Sequence, residues 1–206
     1  MTEARRRLGV FGGAFDPPHL AHVALAQVAI DQLALDALWV IPTGFAWHKT
    51  RSLSLAVHRV NMAKLAFAAN PKVVIDERET RRAGPSYTID TLLELKTEHP
   101  LADLFLIIGE DQARSLPSWR QWQRVVQNAI ICVAGRANST EAKDGLGAEF
   151  LPPPAVSSRF LRLTLPLSPV SATAIRARVA KAEPIAALVG EPVARYIAQH
   201  HLYLQY

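Results

Sequence analysis

Two histidines, His19 and His22, stand three residues apart in the stretch "GVFGGAFDPPHLAHVALAQ" (9–27), just beyond an apolar run and a glycine pair. At that spacing both rings project from one face of a helix's first turn. Gly12 and Gly13 lack the Cβ atoms that would hold a ligand away from the backbone. Asp16 is expected to cap the helix that follows, and Pro17 and Pro18 to fix φ where it begins. The helix mouth offers free N–H groups and a positive dipole end, which together suit an anion. Zinc would call for a third protein ligand nearby in sequence, and none is evident. On these residues alone, a structural cap remains open as the role of one histidine.

A second polar cluster lies far downstream in "SPVSATAIRARV" (168–179). Ser171 or Thr173 is placed to cap a helix, and Arg176, about a turn further on, adds a forked, permanently charged donor. Taken by itself, this segment reads as a well-capped surface helix with a solvated arginine. Neither the usual dinucleotide fingerprint nor a P-loop is present. The glycines at 9, 12 and 13 break the G-x-G-x-x-G spacing, and no G-x-x-x-x-G-K-[ST] occurs. This disfavours an NAD-dependent oxidoreductase.

The elements that must position these residues follow from periodicity. The short apolar runs at 8–13, 37–43, 72–76, 103–109 and 129–135 lack polar alternation, which predicts strands covered on both faces. A further strand is expected at 159–165. Helical period marks 19–34, 54–69, 87–98 and 119–127, with Ser86 as a candidate N-cap for the third of these. Two short helices are expected near 173–182 and 193–199. The alternation predicts an α/β, Rossmann-like, doubly wound parallel sheet with a short C-terminal helical extension, all within a single domain over residues 1–206. In such sheets ligands bind beyond the carboxyl ends of the strands, which directs attention to the loop after the first strand. The polar, then proline-rich stretch at 138–155 reads as a surface excursion.

Composition narrows the function. The one cysteine, Cys132, excludes an internal disulfide and any multi-cysteine zinc site, and its apolar neighbours make it a small buried hydrophobe. No run approaches the roughly eighteen apolar residues of a membrane span, and no signal peptide is visible, so a soluble cytoplasmic protein is expected. Twenty-three basic against eighteen acidic residues give a net charge of +5. Nucleic acid would require a clustered basic stripe or a recognisable module, and a small phosphorylated substrate fits the excess better.

The residues now carry a resemblance. "GGAFDPPHLAH" resembles the G-G-[ST]-F-D-P-x-H-x-G-H signature of the nucleotidyltransferase superfamily, with Ala14 in place of Ser or Thr and Ala21 in place of glycine. "VSATAIR" (170–176) resembles the same superfamily's I-S-x-T-x-x-R motif. Between them, "GPSYTIDTL" (84–92), "GEDQARSLPSWRQW" (109–122) and "PTGFAWHK" (42–49) are similar to segments of bacterial nicotinate mononucleotide adenylyltransferases. The resemblance implies adenylyl transfer from ATP to nicotinate mononucleotide, giving deamido-NAD and pyrophosphate. It implies His19, His22 and Arg176 as the catalytic set, and an ATP site that adds Gly12, Gly13, Ala14 and Phe15. Gly109 and Asp111 join that site at the ribose, and Ser171 and Thr173 at the phosphates. For the mononucleotide it implies Lys49, Tyr87, Thr88 and Trp119. Mg²⁺ is expected to come with ATP, with no dedicated protein metal site. A sister enzyme for nicotinamide mononucleotide or pantetheine phosphate would share the outer motifs without the S-Y-T and L-P-x-W pair. An RNA-binding module would show salt-sensitive RNA affinity and no pyrophosphate release. The sequence leaves oligomeric state unknown.

Overall fold

A computed structural model of the chain describes residues 5–45, 53–136, 152–165 and 170–204, and of Arg136 the backbone alone. Its first half runs β1 (Arg7–Gly13), α1 (Leu20–Gln32), β2 (Ala37–Pro42), α2 (Ala56–Phe67), β3 (Val73–Ile75), α3 (Arg78–Arg81) and α4 (Thr88–Glu98). There follow β4 (Asp103–Gly109), α5 (Glu110–Ser115), α6 (Trp122–Asn128), β5 (Ile130–Arg136), β6 (Phe160–Leu165), α7 (Ala172–Ala180), α8 (Ala186–Val189) and α9 (Glu191–Gln199). The strands form a sheet in the order β3-β2-β1-β4-β5-β6, and the pairs β1–β4, β4–β5 and β5–β6 run parallel. The expected Rossmann-like doubly wound architecture is therefore the observed one. Strand order reverses between β1 and β4, so the loop after β1 leaves the sheet at its switch point.

The chain divides into two compact units. One takes the described residues of Met1–Phe11, Val28–Leu38 and Tyr87–Leu167. Its central strands β4 and β5 are apolar without alternation because both faces are covered: Leu104 to Ile108 in β4, and Ile131 to Val133 in β5, are all buried. Gly9 is required there, since a Cβ would stand 2.5 Å from Leu38 Cδ1 and 2.6 Å from Leu35 Cδ1. Helix α4 lays Ile89, Leu92 and Leu95 into this core along one face. Cys132 is fully buried and its thiol is pushed up to about 12 by desolvation, which leaves it chemically inert. Strand β6 buries only Leu163 fully, as suits an edge strand.

The other unit takes the described residues of Gly12–Gln27, Trp39–Ser86 and Ser168–Tyr206. Its core joins Met62 of α2 to Ile175 of α7, Ile185 and Val189 around α8, and Val193 and Ile197 of α9. The C-terminal helices are thus an integral part of this unit's packing.

Two expectations about local structure are corrected. Ser86 does not cap α4: Tyr87 holds the N-cap position, and no side chain closes it. The Ser86 N–H goes instead to Phe45 O at 3.2 Å, beside the bridge pairing Phe45 with Pro85, which places Ser86 one residue too early. The helix expected over 119–127 starts only at Trp122, because Gln121 is left-handed at φ 52° and a 3-10 turn occupies Leu116–Ser118. The short helices α3, α5 and α8 were not expected; four to six residues long, they are too brief to show a period.

Candidate active site

The loop between β1 and α1 is held from several directions within its own unit. Buried Arg59, on α2, donates through Nη1 to Ala14 O at 2.9 Å and through Nε to Ser54 O at 2.9 Å. Buried Arg176, on α7, donates through Nη1 to Asp16 O at 2.7 Å and through Nη2 to Thr173 Oγ1 at 3.1 Å. The Asp16 carboxylate accepts from Tyr203 Oη at 2.6 Å and from the Ser54 N–H at 3.3 Å. Asp16 was expected to cap α1, but its side chain faces this cluster instead. Phe15 sits between these ties at φ 47°, a left-handed conformation unfavourable for a bulky residue. Its buried ring packs edge-on against Phe67, centroids 6.0 Å apart, and against His22 at 5.2 Å.

The two histidines meet. Their rings stack with centroids 3.8 Å apart and planes inclined by 30°. His19 precedes α1, and its backbone N–H donates to His22 Nδ1 at 3.2 Å. This is the reciprocal half of a capping box, with an imidazole where glutamate or glutamine is usual. An accepting Nδ1 assigns the proton of neutral His22 to Nε2, which is thereby a donor. His19 is buried, and desolvation pulls it from the ordinary 6.5 down to about 4. It is neutral at physiological pH, and its Nδ1 is buried without a hydrogen-bond partner among the described residues. The pair therefore offers imidazole N–H donors, and His19 adds no charge of its own.

Beside them, a Cβ added to Gly12 would meet nothing within 4 Å, so the backbone there is approachable. At α7, Ser171 is the cap: its Oγ accepts from the Ala174 N–H at 3.2 Å, while Thr173 serves Arg176. The arrangement suits an anion: helix-start amides and imidazole donors, with the Arg176 guanidinium of α7 tied to the same loop.

The other unit carries Gly109, Asp111, Tyr87, Thr88 and Trp119. Gly109 ends β4 and caps α5, its N–H donating to Gln112 Oε1 at 3.1 Å. Asp111 lies in the first turn of α5, exposed, with Oδ1 3.0 Å from Arg114 Nη1. Tyr87 and Thr88 open α4, and half-buried Trp119 lies in the short stretch before α6. The Arg120 guanidinium stands 4.6 Å over the Tyr87 ring. Lys49 lies outside the described residues, as does the Arg136 side chain.

Sequence reasoning missed Arg59, Ser54, Tyr203 and Arg120. Only Arg120 carried a signal, its place beside Trp119 in "SWRQW". Among the described residues, no group of three or more His, Cys, Asp or Glu is disposed to hold a metal ion, and no helix is long and apolar enough to cross a membrane.

The family model described as cytidylyltransferase-like matches residues 10–178. A protein of Albidiferax ferrireducens named "Probable nicotinate-nucleotide adenylyltransferase" is 60% identical over 198 residues, covering 96% of this chain and 98% of the relative. One of the same name from Methylibium petroleiphilum is 42% identical, covering 97% and 93%. Among solved structures, the Plasmodium falciparum nicotinic acid mononucleotide adenylyltransferase complexed with APC has a TM-score of 0.74 at 18% identity, covering 98% of this chain and 99% of that one. The same enzyme complexed with NaAD gives 0.73, also at 18% identity and with the same coverage. At that identity the likeness establishes the fold.

Proposed function

The chain belongs to the nicotinate-nucleotide adenylyltransferases of the cytidylyltransferase-like family, and from that premise we propose how its residues divide the work. The reaction moves the adenylyl group of ATP onto nicotinate mononucleotide, giving deamido-NAD and pyrophosphate in NAD biosynthesis. A 5′-phosphate oxygen of the mononucleotide attacks the α-phosphorus of ATP in line, and the bond from that phosphorus to the bridging oxygen of the β-phosphate breaks. The nucleophile is already anionic near neutral pH, so no general base is needed. Catalysis then rests on positioning and on donors aimed at the charge that builds on the phosphates.

One observation carries the reading. His22 Nδ1 is occupied by the His19 N–H, which leaves Nε2–H as a fixed donor at the mouth of α1. In the proposal His22, with His19 stacked on it, donates to the triphosphate. Arg176 supplies permanent positive charge while tying down the loop through Asp16. The backbone of Gly12, Gly13, Ala14 and Phe15 lies along the nucleotide, and the capped start of α7 at Ser171 and Thr173 receives further phosphate oxygens. Gly109 and Asp111 take the ATP ribose, and Lys49 a phosphate of the mononucleotide. Mg²⁺ enters as MgATP. The donor set suits this, since a hard, water-keeping cation held by phosphate oxygens needs few protein ligands. The same proposal sets the enzyme in the cytoplasm.

For the acceptor we assign Tyr87, Thr88 and Trp119. The opening of α4 offers amides and a hydroxyl to the nicotinate carboxylate, and the Trp119 indole stacks the electron-poor pyridinium ring. Loss of such a stack is expected to cost about 1–3 kcal/mol. Trp119→Ala should therefore raise KM for nicotinate mononucleotide about fivefold to a hundredfold and leave KM for ATP within about twofold. Steady-state kinetics with each substrate varied in turn checks this. A change confined to KM for ATP would remove Trp119 from the acceptor site.

A further inference from the structure

The tie between Asp16 and Tyr203 joins residues 187 positions apart, and neither the reaction nor any motif accounts for it. Asp16 is 2% exposed, so its carboxylate must be satisfied within the protein. Tyr203 Oη on Oδ1, the Ser54 N–H on Oδ2 and Arg176 on the backbone carbonyl all hold this residue. Two of them come from residues 170–204. The Tyr203 bond, at 2.6 Å from a neutral hydroxyl to a carboxylate, is the short, charge-assisted kind. Burial, and then the neighbouring Asp16 charge, push the phenol well above its ordinary range, so it stays a donor at all working pH.

The C-terminal segment is itself set in register before it reaches Asp16. Tyr196 of α9 accepts from Asn61 Nδ2 at 3.1 Å and lies 3.0 Å from His58 Nδ1, both on α2. Leu202 and Tyr203 then pack on the core of Met62, Ile175 and Ile197. Tyr203 holds φ at 65°, a left-handed conformation that costs free energy and brings its ring back toward the loop. Arg59, one residue from His58 on α2, grips the same loop at Ala14. The loop and the last turn of the chain thus share one framework.

We propose that Tyr203 is a positioning residue for the ATP half of the reaction, setting the Asp16 carboxylate and with it the loop from Gly12 to His19. Tyr203 touches no substrate; it acts through Asp16. The inference rests on the assignment of that loop to the triphosphate. It also implies reciprocity: if docking of residues 200–204 strengthens ATP binding, bound ATP strengthens that docking by the same factor.

The test has two arms. Tyr203→Phe keeps the buried ring and removes the hydroxyl, and losing a hydrogen bond to a charged group is expected to raise KM for ATP about tenfold. KM for nicotinate mononucleotide, measured at saturating ATP, should stay within about twofold. A merely structural role would lower the active fraction and leave both KM values unchanged. The second arm needs no variant. Amide hydrogen exchange of wild-type residues 200–204 is measured with and without MgATP, no mononucleotide present, and should slow several-fold when MgATP is bound. Unchanged KM for ATP, an equal rise in both KM values, or exchange indifferent to MgATP overturns the proposal. Failure of the underlying reading looks different: His22→Ala would then leave kcat and the KM for ATP at wild-type values.

Discussion

Replacing His22 with alanine is expected to lower kcat roughly a hundred- to a thousandfold, the usual cost of removing one preorganised donor to developing charge. The ring has two jobs that a single substitution would confuse. Its Nδ1 accepts the His19 N–H and closes the start of α1, so His22→Ala also loses about 1 kcal/mol of cap stability. His22→Gln separates the two. Glutamine at this position is the ordinary partner in a capping box, so it should recover the melting temperature while leaving kcat low. Recovery of turnover together with stability would mean that the cap alone mattered. ATP should still bind both variants, because the loop remains tied through Arg59 and Arg176.

Arg176→Ala is expected to act on ATP before it acts on the acceptor. The guanidinium is 5% exposed and holds both the Asp16 carbonyl and Thr173. Alanine leaves that carbonyl without its Arg176 donor and opens a cavity beneath the loop, a loss of about 2–4 kcal/mol by analogy with other buried truncations. The expected kinetic result is a KM for ATP raised tenfold or more, with a smaller change for nicotinate mononucleotide. Arg176→Lys should restore part of the charge and little of the affinity, since a single ammonium does not reproduce the guanidinium fork. Equal losses for both substrates would remove Arg176 from the ATP site.

Much of this organisation was legible in the residues, for a physical reason. Strands covered on both faces must be continuous apolar runs, so β1, β2, β4 and β5 announced themselves, and the α/β alternation made the loop after β1 the place to look. The histidine pair and the Ser171 cap were legible because each is local: spacing of three or four along a helix is written directly in the chain. What holds the loop was not. Arg59 reaches Ala14 across 45 positions and Tyr203 reaches Asp16 across 187, and partners at such separations follow no period. Asp16 was misread for the same reason. A carboxylate just before a helix is ordinarily a cap, and only the folded chain shows that His22 closes the helix start while Asp16 faces Ser54 and Tyr203. The break before α6 lay hidden in a left-handed Gln121, a conformation that glutamine does not advertise.

The central claim is that this chain joins ATP to a pyridine mononucleotide bearing a carboxylate. Pyrophosphate release, with ATP fixed and the phosphorylated acceptor varied, tests it most directly. Nicotinate mononucleotide should give pyrophosphate and deamido-NAD in equal amounts, at a kcat/KM well above those of nicotinamide mononucleotide and pantetheine phosphate. No pyrophosphate from nicotinate mononucleotide, or a clear preference for either of the other acceptors, would contradict it.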